Sequence, residues 1–265
     1  MSQPTRVAIV TGAARGIGAA TVRALASDGW AVLAIDRGVD DPALPYHLAT
    51  EDDLDSVVRE AAQPERVRGM VVDVRDLAGL DAAVAEAEAR WGGLDAAIAA
   101  AGVIAGGVPL WEMPRTQEQA VLEVNLGGVI NLARAAIPAL LRRPQPRSGR
   151  FLAVASAAAT RGLPMLTAYC AAKSAVAGLV RGLAVELAGT GVTANAVSPG
   201  STATAILEET ARLYGLAGAQ EFAAQQPLGR LLDPTEIATV LNFLAGPGSS
   251  AMTGTVVAVD GGLAL

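Results

Sequence analysis

Seven short runs of apolar residues, separated by longer helical patterns, constrain the fold of this 265-residue chain more than any other feature. The runs are apolar throughout rather than alternating with polar residues, which is typical of parallel strands covered on both faces. They lie at residues 6–10, 30–36, 67–73, 94–101, 150–155, 192–198 and 255–259. The main helical patterns lie at 16–29, 77–91, 116–141, 167–188 and 234–245. This alternation predicts one α/β domain over residues 1–265, a doubly wound parallel sheet with helices on both faces.

The overall charge argues against nucleic acid or a membrane as a partner. The net charge is −6 and the pI is near 4.9, so the chain has no basic footprint for phosphates or anionic lipids.

The sequence also lacks the pattern of a membrane span. The longest uncharged runs, 187–207 and 237–259, are interrupted by Gly, Pro, Ser and Thr, so neither is typical of a helix that crosses a bilayer. The first ten residues are too weakly apolar for a signal peptide, and one cysteine, Cys170, cannot form an internal disulfide. We therefore expect a soluble, cytoplasmic protein.

A glycine-rich turn, "TGAARGIG" at 11–18, joins the first predicted strand to the first helix. Gly12 permits the tight turn, Gly16 allows the backbone to approach a pyrophosphate, and Gly18 allows close packing of helix on strand. The helix N-terminus then faces the phosphates. The strand before the turn and the helix after it make this a predicted dinucleotide site of the Rossmann type, to which Arg15 and Ile17 also belong.

The residue that ends the second strand bears on the choice of cofactor. Asp36 can accept hydrogen bonds from the adenosine ribose hydroxyls and would repel a 2′-phosphate, which favours NAD. Arg15 and Arg37 leave NADP open as the alternative, because both could reach such a phosphate. A further alternative is that Asp36 only begins a turn.

The only lysine of the chain, Lys173, follows Tyr169 by four residues. On a helix this spacing places both side chains on one face. Lowering the pKa of a phenol from about 10 to about 7 requires about 4 kcal/mol. An ammonium about 5 Å away supplies about 3 kcal/mol at an effective dielectric of 20, and a positive nicotinamide ring could supply the rest. We therefore predict that Tyr169 is a base beside a point charge; the alternative is a surface lysine beside a core tyrosine.

These motifs resemble the short-chain dehydrogenase/reductase family over essentially the whole chain. "TGAARGIG" is similar to its cofactor turn and "YCAAK" to its Tyr-x-x-x-Lys signature; "NAVSPG" and the ending "VDGG" also fit. The resemblance implies that Tyr169 is the acid/base, that Ser156 hydrogen-bonds the substrate oxygen, that Lys173 holds the nicotinamide ribose and that Asn125 positions a water in a proton relay. It also implies cofactor contacts from Asp73, Val74, Ala101, Gly102, Pro199, Gly200, Thr202 and Thr204, with Tyr169 and Lys173 among them.

Two segments depart from the usual family pattern. Where the family has Asn-Asn-Ala-Gly after the fourth strand, this chain has Ala99-Ala100-Ala101-Gly102, which puts local stability in question. The segment 37–66 is longer than usual, and Thr50 followed by Asp53 predicts a capped helix ending at about residue 62. It resembles the insertion of a subgroup associated with mycofactocin, a peptide-derived redox cofactor. The only histidine, His47, lies in this segment without a Cys or His partner, so we predict no metal site.

The proposed site residues follow successive strands, at the edge where open parallel sheets bind ligands. We therefore expect an NAD-dependent alcohol dehydrogenase or ketone reductase acting on a hydrophobic secondary alcohol. The subgroup resemblance further implies that NAD is retained and reoxidised by mycofactocin. Alternatives are an ordinary NAD(P)-exchanging 3-oxoacyl or ketone reductase, and a non-catalytic dinucleotide sensor. A substrate lid is expected at 201–226, with apolar walls from Leu163, Met165 and Trp111. The family resemblance implies a homotetramer.

Overall fold

The sheet of this protein contains seven strands, all parallel, in the order β3-β2-β1-β4-β5-β6-β7. The structure, a computed structural model, describes residues 6–265. All seven predicted strands are present, which confirms the predicted Rossmann-like fold. The strands are β1 Val7–Thr11, β2 Ala31–Asp36, β3 Val67–Val71, β4 Ala96–Ala99, β5 Arg150–Val154, β6 Thr193–Pro199 and β7 Val256–Val259.

Eight α-helices are present in the described range, and all of them lie in the connections between successive strands. They are α1 Gly16–Ser27, α2 Glu51–Arg59, α3 Leu77–Trp91, α4 Arg115–Leu122, α5 Gly128–Arg142, α6 Thr167–Glu186, α7 Ala205–Leu213 and α8 Pro234–Ala245. The predicted helix at 116–141 is interrupted, because a single π-helical stretch, Glu123–Gly127, joins α4 to α5. The sequence pattern did not show this, because the apolar residues on either side of a single π turn keep ordinary helical spacing.

Hydrophobic side chains cover both faces of the sheet, as uniformly apolar strands require. On one face Ile9, Leu33 and Phe151 pack with residues of α3, α5 and α6. On the other face Val10 and Leu152 pack with residues of α1 and α8. Burying each large apolar side chain contributes about 1.5–3 kcal/mol, so these two layers hold the strands in register.

Two helical stretches, Arg115–Arg142 and Thr167–Glu186, are long and apolar enough to cross a membrane by length and composition. Both place buried residues against the sheet, among them Leu132 and Val180. Core helices of soluble proteins pass the same test, and packing on the sheet accounts for part of the apolar character of these two.

The loop after β4 is braced by a residue of the neighbouring strand. The Thr11 hydroxyl accepts the backbone N–H groups of Ala100 at 3.3 Å and of Ala101 at 3.4 Å. A side chain from β1 therefore supplies hydrogen bonds to the segment in which the expected asparagines are missing.

The segment 37–66, which the family resemblance predicts to be an insertion and which we call the inserted segment, is folded. Its helix α2 begins with the predicted capping box: Thr50 Oγ1 accepts from the Asp53 N–H, and the Asp53 carboxylate accepts from the Thr50 N–H. The helix ends at Arg59, a little before the predicted end. Before the helix, Leu44 packs in a cluster with Val74, Val103 and Val121, and so lies over the edge at which the strands end.

Candidate active site

The carboxyl ends of six strands surround one cleft with a volume of about 650 Å³. All predicted cofactor residues line it, together with three of the four predicted catalytic residues. These are Gly12, Arg15, Gly16, Ile17, Gly18, Asp36, Arg37, Asp73, Val74, Ala101, Gly102, Ser156, Tyr169, Lys173, Pro199, Gly200, Thr202 and Thr204. The fourth, Asn125, lies outside the cleft wall.

The glycine turn leaves no room for side chains, as a pyrophosphate cradle requires. Gly12 has φ +67°, and a Cβ there would lie 2.6 Å from the Ala101 backbone. A Cβ on Gly18 would lie 2.0 Å from the Gly12 carbonyl oxygen. The start of α1 is therefore packed directly on the turn, and its N-terminal N–H groups face the cleft, which fits the diphosphate of a dinucleotide.

Asp36 ends β2 with its carboxylate fixed at the rim of this turn. One oxygen accepts the Ala14 N–H at 2.9 Å and the other accepts the Arg37 N–H at 2.8 Å. Burial raises the pKa of Asp36, although both N–H groups and the charge of Arg15 act in the opposite direction. Each oxygen keeps a lone pair, so the carboxylate can accept the two ribose hydroxyls of an adenosine.

Both arginines that could bind a 2′-phosphate are already paired with carboxylates. Arg15 Nε lies 3.2 Å from Asp53 Oδ2. Arg37 pairs with Asp41 and, at 3.3 Å, with Asp73. A 2′-phosphate would have to compete with these carboxylates as well as with Asp36.

Arg75 links the inserted segment to the end of β3. Its Nη2 lies 2.6 Å from Asp73 Oδ2 and 3.0 Å from Asp41 Oδ2. Burial opposes ionisation of Asp73 and Asp41, but hydrogen bonds and neighbouring arginine charges outweigh it and lower the pKa of both carboxyls. Asp41, Asp73, Arg37 and Arg75 thus form one charged cluster, which holds the beginning of the inserted segment beside the cleft.

Tyr169 and Lys173 lie on one face of α6, as their spacing predicts. The Lys173 ammonium is 5.7 Å from the centroid of the Tyr169 ring. Lys173 is only 4% exposed, and its Nζ donates to the Val154 carbonyl oxygen at 2.8 Å. Two further N–H groups of the ammonium remain for a ligand.

The pKa of Tyr169 is not lowered in the protein without cofactor, although the sequence analysis expected a lowered value. Burial raises the pKa of Tyr169 to about 12, although the hydroxyl of Ser156 acts in the opposite direction. Burial lowers the pKa of Lys173 to about 8. Desolvation penalises both charged forms and outweighs the attraction between them. The ionised phenol therefore needs additional positive charge, which the protein alone does not provide.

Ser156 follows β5 and lines the cleft together with Tyr169 and Lys173. Its Oγ accepts the Ala158 N–H at 3.1 Å, which caps the short 3₁₀ turn Ala157–Ala159. That hydrogen bond leaves the hydroxyl proton free to donate, so Ser156 can serve both the turn and a substrate oxygen.

Asn125 lies in the π-helical stretch, where its side chain is fully buried. Its Oδ1 accepts the Val103 N–H at 3.1 Å, and its Nδ2 donates to the carbonyls of Val103 and Val121, each at 2.9 Å. Both amide donors are satisfied by protein, so the side chain ties α4 to the loop after β4. The water relay through Asn125 stays a prediction.

The part of the cleft beside Tyr169, which we call the substrate end, is lined by residues that the sequence analysis did not identify. Leu163 and Met165 line it as expected, but Trp111 does not: this residue is 84% exposed on a short 3₁₀ turn, so the prediction for Trp111 is wrong. Additional walls come from the expected lid and from the inserted segment, namely Ile206, Thr210, Tyr214, Phe222 and Tyr46. Tyr46 and Tyr214 belong to no recognisable sequence motif, and they reach the cleft only because of the way the chain folds.

Comparison with family models, with known protein sequences and with solved structures relates this chain to reductases and dehydrogenases in each case. A family model described as enoyl-(acyl carrier protein) reductase matches residues 12–264. The short-chain reductase protein NovJ of Streptomyces niveus is 39% identical over 259 residues, covering 97% of this chain and 93% of NovJ. The structure of carveol dehydrogenase from Mycobacterium avium in complex with NAD aligns with a TM-score of 0.92 at 31% identity, covering 98% of each chain. A variant of actinorhodin polyketide ketoreductase with NADPH aligns with a TM-score of 0.86 at 31% identity, covering 98% of this chain and 97% of the ketoreductase.

A pair of substitutions tests how the carboxylates control cofactor choice. We expect Asp36→Ala alone to weaken NAD binding with little gain for NADP, because Arg15 stays paired with Asp53. Adding Asp53→Asn frees Arg15 for a 2′-phosphate, and the NADP/NAD affinity ratio should rise about tenfold further. Calorimetric titration of nucleotide-free protein measures both affinities, with Asp53→Asn alone as the control. A full switch to NADP by Asp36→Ala alone would contradict this account.

The single lysine offers a direct test of its lowered pKa. Only the neutral amine reacts with an acylating reagent, so labelling of Lys173 should reach half its maximum near pH 8 rather than near the ordinary 10.5. Mass spectrometry of the peptide that contains Lys173 measures the rate, with N-acetyl-lysine as the reference. Added NAD should slow the labelling. A midpoint equal to that of N-acetyl-lysine would show that burial does not govern the ammonium.

Proposed function

The chain belongs to the short-chain dehydrogenase/reductase family and is an NAD(P)-dependent oxidoreductase, and on this premise we propose that it interconverts a hydrophobic secondary alcohol and its ketone with NAD. The observation that carries the proposal is the assembly of Ser156, Tyr169 and Lys173 in the same cleft as the glycine turn and Asp36. A fold that only sensed a dinucleotide would have no need of a buried phenol beside a buried ammonium.

The proton chemistry of the proposed reaction rests on residues of β5 and α6. Bound NAD would accept or return the hydride. In alcohol oxidation Ser156 donates a hydrogen bond to the substrate oxygen, and the Tyr169 oxygen, ionised once further positive charge stands beside it, takes the alcohol proton. Lys173 supplies the positive charge nearest to the phenol, and its free N–H groups would bind the nicotinamide ribose. In ketone reduction Tyr169 returns the proton to the carbonyl oxygen.

The preference for NAD over NADP is supported by the charges around Asp36. The Asp36 carboxylate lies at the rim of the glycine turn, where it can accept ribose hydroxyls, and the adjacent Arg15 and Arg37 pair with Asp53, Asp41 and Asp73. The carveol dehydrogenase neighbour was solved with NAD, whereas the ketoreductase neighbour was solved with NADPH.

We further propose that the inserted segment is a lid that retains the cofactor. Residues 46–49 line the cleft, and the charged cluster around Asp41 fixes the segment near the adenosine ribose. A closed lid adds contacts that must break before release, and this lowers the off-rate. In that case the bound NADH is reoxidised in place by an external carrier, for which mycofactocin is the candidate from the subgroup resemblance.

The main alternative is an ordinary ketone or 3-oxoacyl reductase whose NAD(P) exchanges freely. The similarity to a polyketide ketoreductase favours this candidate. The rate at which bound cofactor exchanges with free NAD distinguishes the two candidates. An enzyme that retains its cofactor can complete only one turnover without an external acceptor, whereas one that exchanges NAD(P) freely continues to turn over.

The surface of α5 and α6 supports the expected homotetramer. A shallow groove there is lined by apolar residues, including Ile130, Ile137, Leu179 and Leu183. Apolar surface of this kind is stabilised when a second copy covers it. We propose that the protein acts as a cytoplasmic homotetramer.

Substitution of the proposed acid/base tests the mechanism. Tyr169→Phe keeps the ring and its packing but removes the ionisable oxygen, so the rate of NADH formation from a secondary alcohol should fall about 10²–10⁴-fold. Lys173→Arg should also be strongly impaired, because a guanidinium is a broader, delocalised charge. NAD content and thermal stability of both variants provide the control. Turnover of Tyr169→Phe near that of the unaltered protein would remove the basis of the proposal.

Isotope exchange tests the lid. We expect the purified protein to contain NAD or NADH, to be reduced once by an alcohol, and to require mycofactocin or an artificial acceptor for further turnovers. Asp41→Asn weakens the cluster that holds the lid, so labelled NAD should exchange several-fold faster than in the unaltered protein. Asp55→Asn, an exposed aspartate on α2, is the matched control and should not change the exchange rate. Rapid exchange in the unaltered protein, with steady turnover on free NAD, would exclude retention.

A further inference from the structure

All three tyrosines of the chain line the cleft, and their hydroxyl groups are used in different ways. Tyr169 is the proposed acid/base and interacts with Ser156. Tyr214 donates its proton to the Pro164 carbonyl oxygen at 2.7 Å, so protein satisfies this donor. Tyr46, from the inserted segment, is the third and has no role in the chemistry described so far.

The Tyr46 hydroxyl accepts a hydrogen bond but donates none within residues 6–265. The Ile104 N–H donates to its oxygen at 2.9 Å. That bond uses a lone pair of the phenol and leaves the proton without an acceptor. Burial raises the pKa of Tyr46, with a smaller contribution from the charge of Glu209, so the hydroxyl stays protonated at neutral pH. Tyr46 is therefore a permanent donor.

The surroundings fix the Tyr46 ring at the substrate end of the cleft. It packs against the buried cluster that contains Leu44 and Val103, and Tyr169 packs against the same cluster. The nearby Glu209 carboxylate is held by Arg212, whose Nε and Nη2 donate to its two oxygens at 2.7 and 2.6 Å. Tyr46 makes no hydrogen bond to this carboxylate within the described residues, so its proton remains available to a molecule in the cleft.

We propose that Tyr46 is a specificity-determining residue that donates a hydrogen bond to a second oxygen of the substrate. The inference rests on the proposed oxidoreductase function and narrows its substrate class. The preferred alcohols and ketones carry a second acceptor oxygen, a hydroxyl or a carbonyl, in addition to the reacting one. A hydroxyl group poised to bind such an oxygen discriminates against an analogue in which a methyl group replaces it.

Matched alcohols on the holoenzyme test this proposal. NADH formation is measured with the positional isomers of cyclohexanediol and with the methylcyclohexanols of the same substitution pattern. We expect at least one diol to exceed its methyl counterpart about tenfold in kcat/KM, or in the first-turnover rate constant where cofactor is retained. In Tyr46→Phe this ratio should fall to near one. Tyr214→Phe is the matched control, because its hydroxyl is already bonded to Pro164, and it should keep the ratio.

The ratio of the rates with the diol and with its methyl counterpart distinguishes loss of substrate recognition from a loss of folded protein. Both alcohols are measured on the same sample, so a loss of folded protein after removal of the acceptor for Ile104 cancels. An unchanged ratio in Tyr46→Phe, or an equal loss with both alcohols, would overturn the proposal. A faster release of NAD with an unchanged ratio would assign Tyr46 to the cofactor instead. NADH formation with no preference in the unaltered protein contradicts only this inference, whereas no NADH from any alcohol contradicts the proposed function as well.

Discussion

All seven strands run in the same direction, and for this reason every strand ends at one edge of the sheet. The hydrophobic layers on both faces leave that edge as the place where polar residues can collect without entering the core. Gly12, Asp36, Asp73, Ser156 and Gly200 each follow or end a strand, although up to 188 positions separate them along the chain. The site is thus a consequence of parallel pairing.

The same burial that stabilises the fold also shapes the chemistry of the cleft. Lys173 is enclosed by α6 and β5, and the Val154 carbonyl is the one hydrogen-bond acceptor for its ammonium among the described residues. Desolvation lowers its pKa to about 8 and raises that of Tyr169 to about 12. A pair buried in this way is not a ready base by itself. It becomes one when further positive charge is placed beside the phenol.

The sequence predicted those parts of the site that depend on local patterns. Strand ends, the glycine turn, the Tyr169–Lys173 spacing and the capping box at Thr50 are all set by residues close together in the chain. The parts that it missed depend on contacts between distant segments. Tyr46 reaches Ile104 across 58 positions, and the pairing of Arg15 with Asp53 depends on how the inserted segment folds back. Trp111 was placed wrongly because an apolar side chain after a strand does not by itself specify the face on which its turn will lie.

The inserted segment connects the two ends of the cleft through physically different contacts. At the adenosine end it is held by charge, through Asp41 with Arg37 and Arg75. At the substrate end it is held by apolar packing of Leu44 and by the Tyr46–Ile104 hydrogen bond. Asp41 is only 4% exposed, and buried or partly buried ion pairs are screened by salt much less than exposed ones. Removing one charge of the cluster should therefore loosen this end of the segment more than added salt does, while the apolar packing of Leu44 at the other end is unaffected.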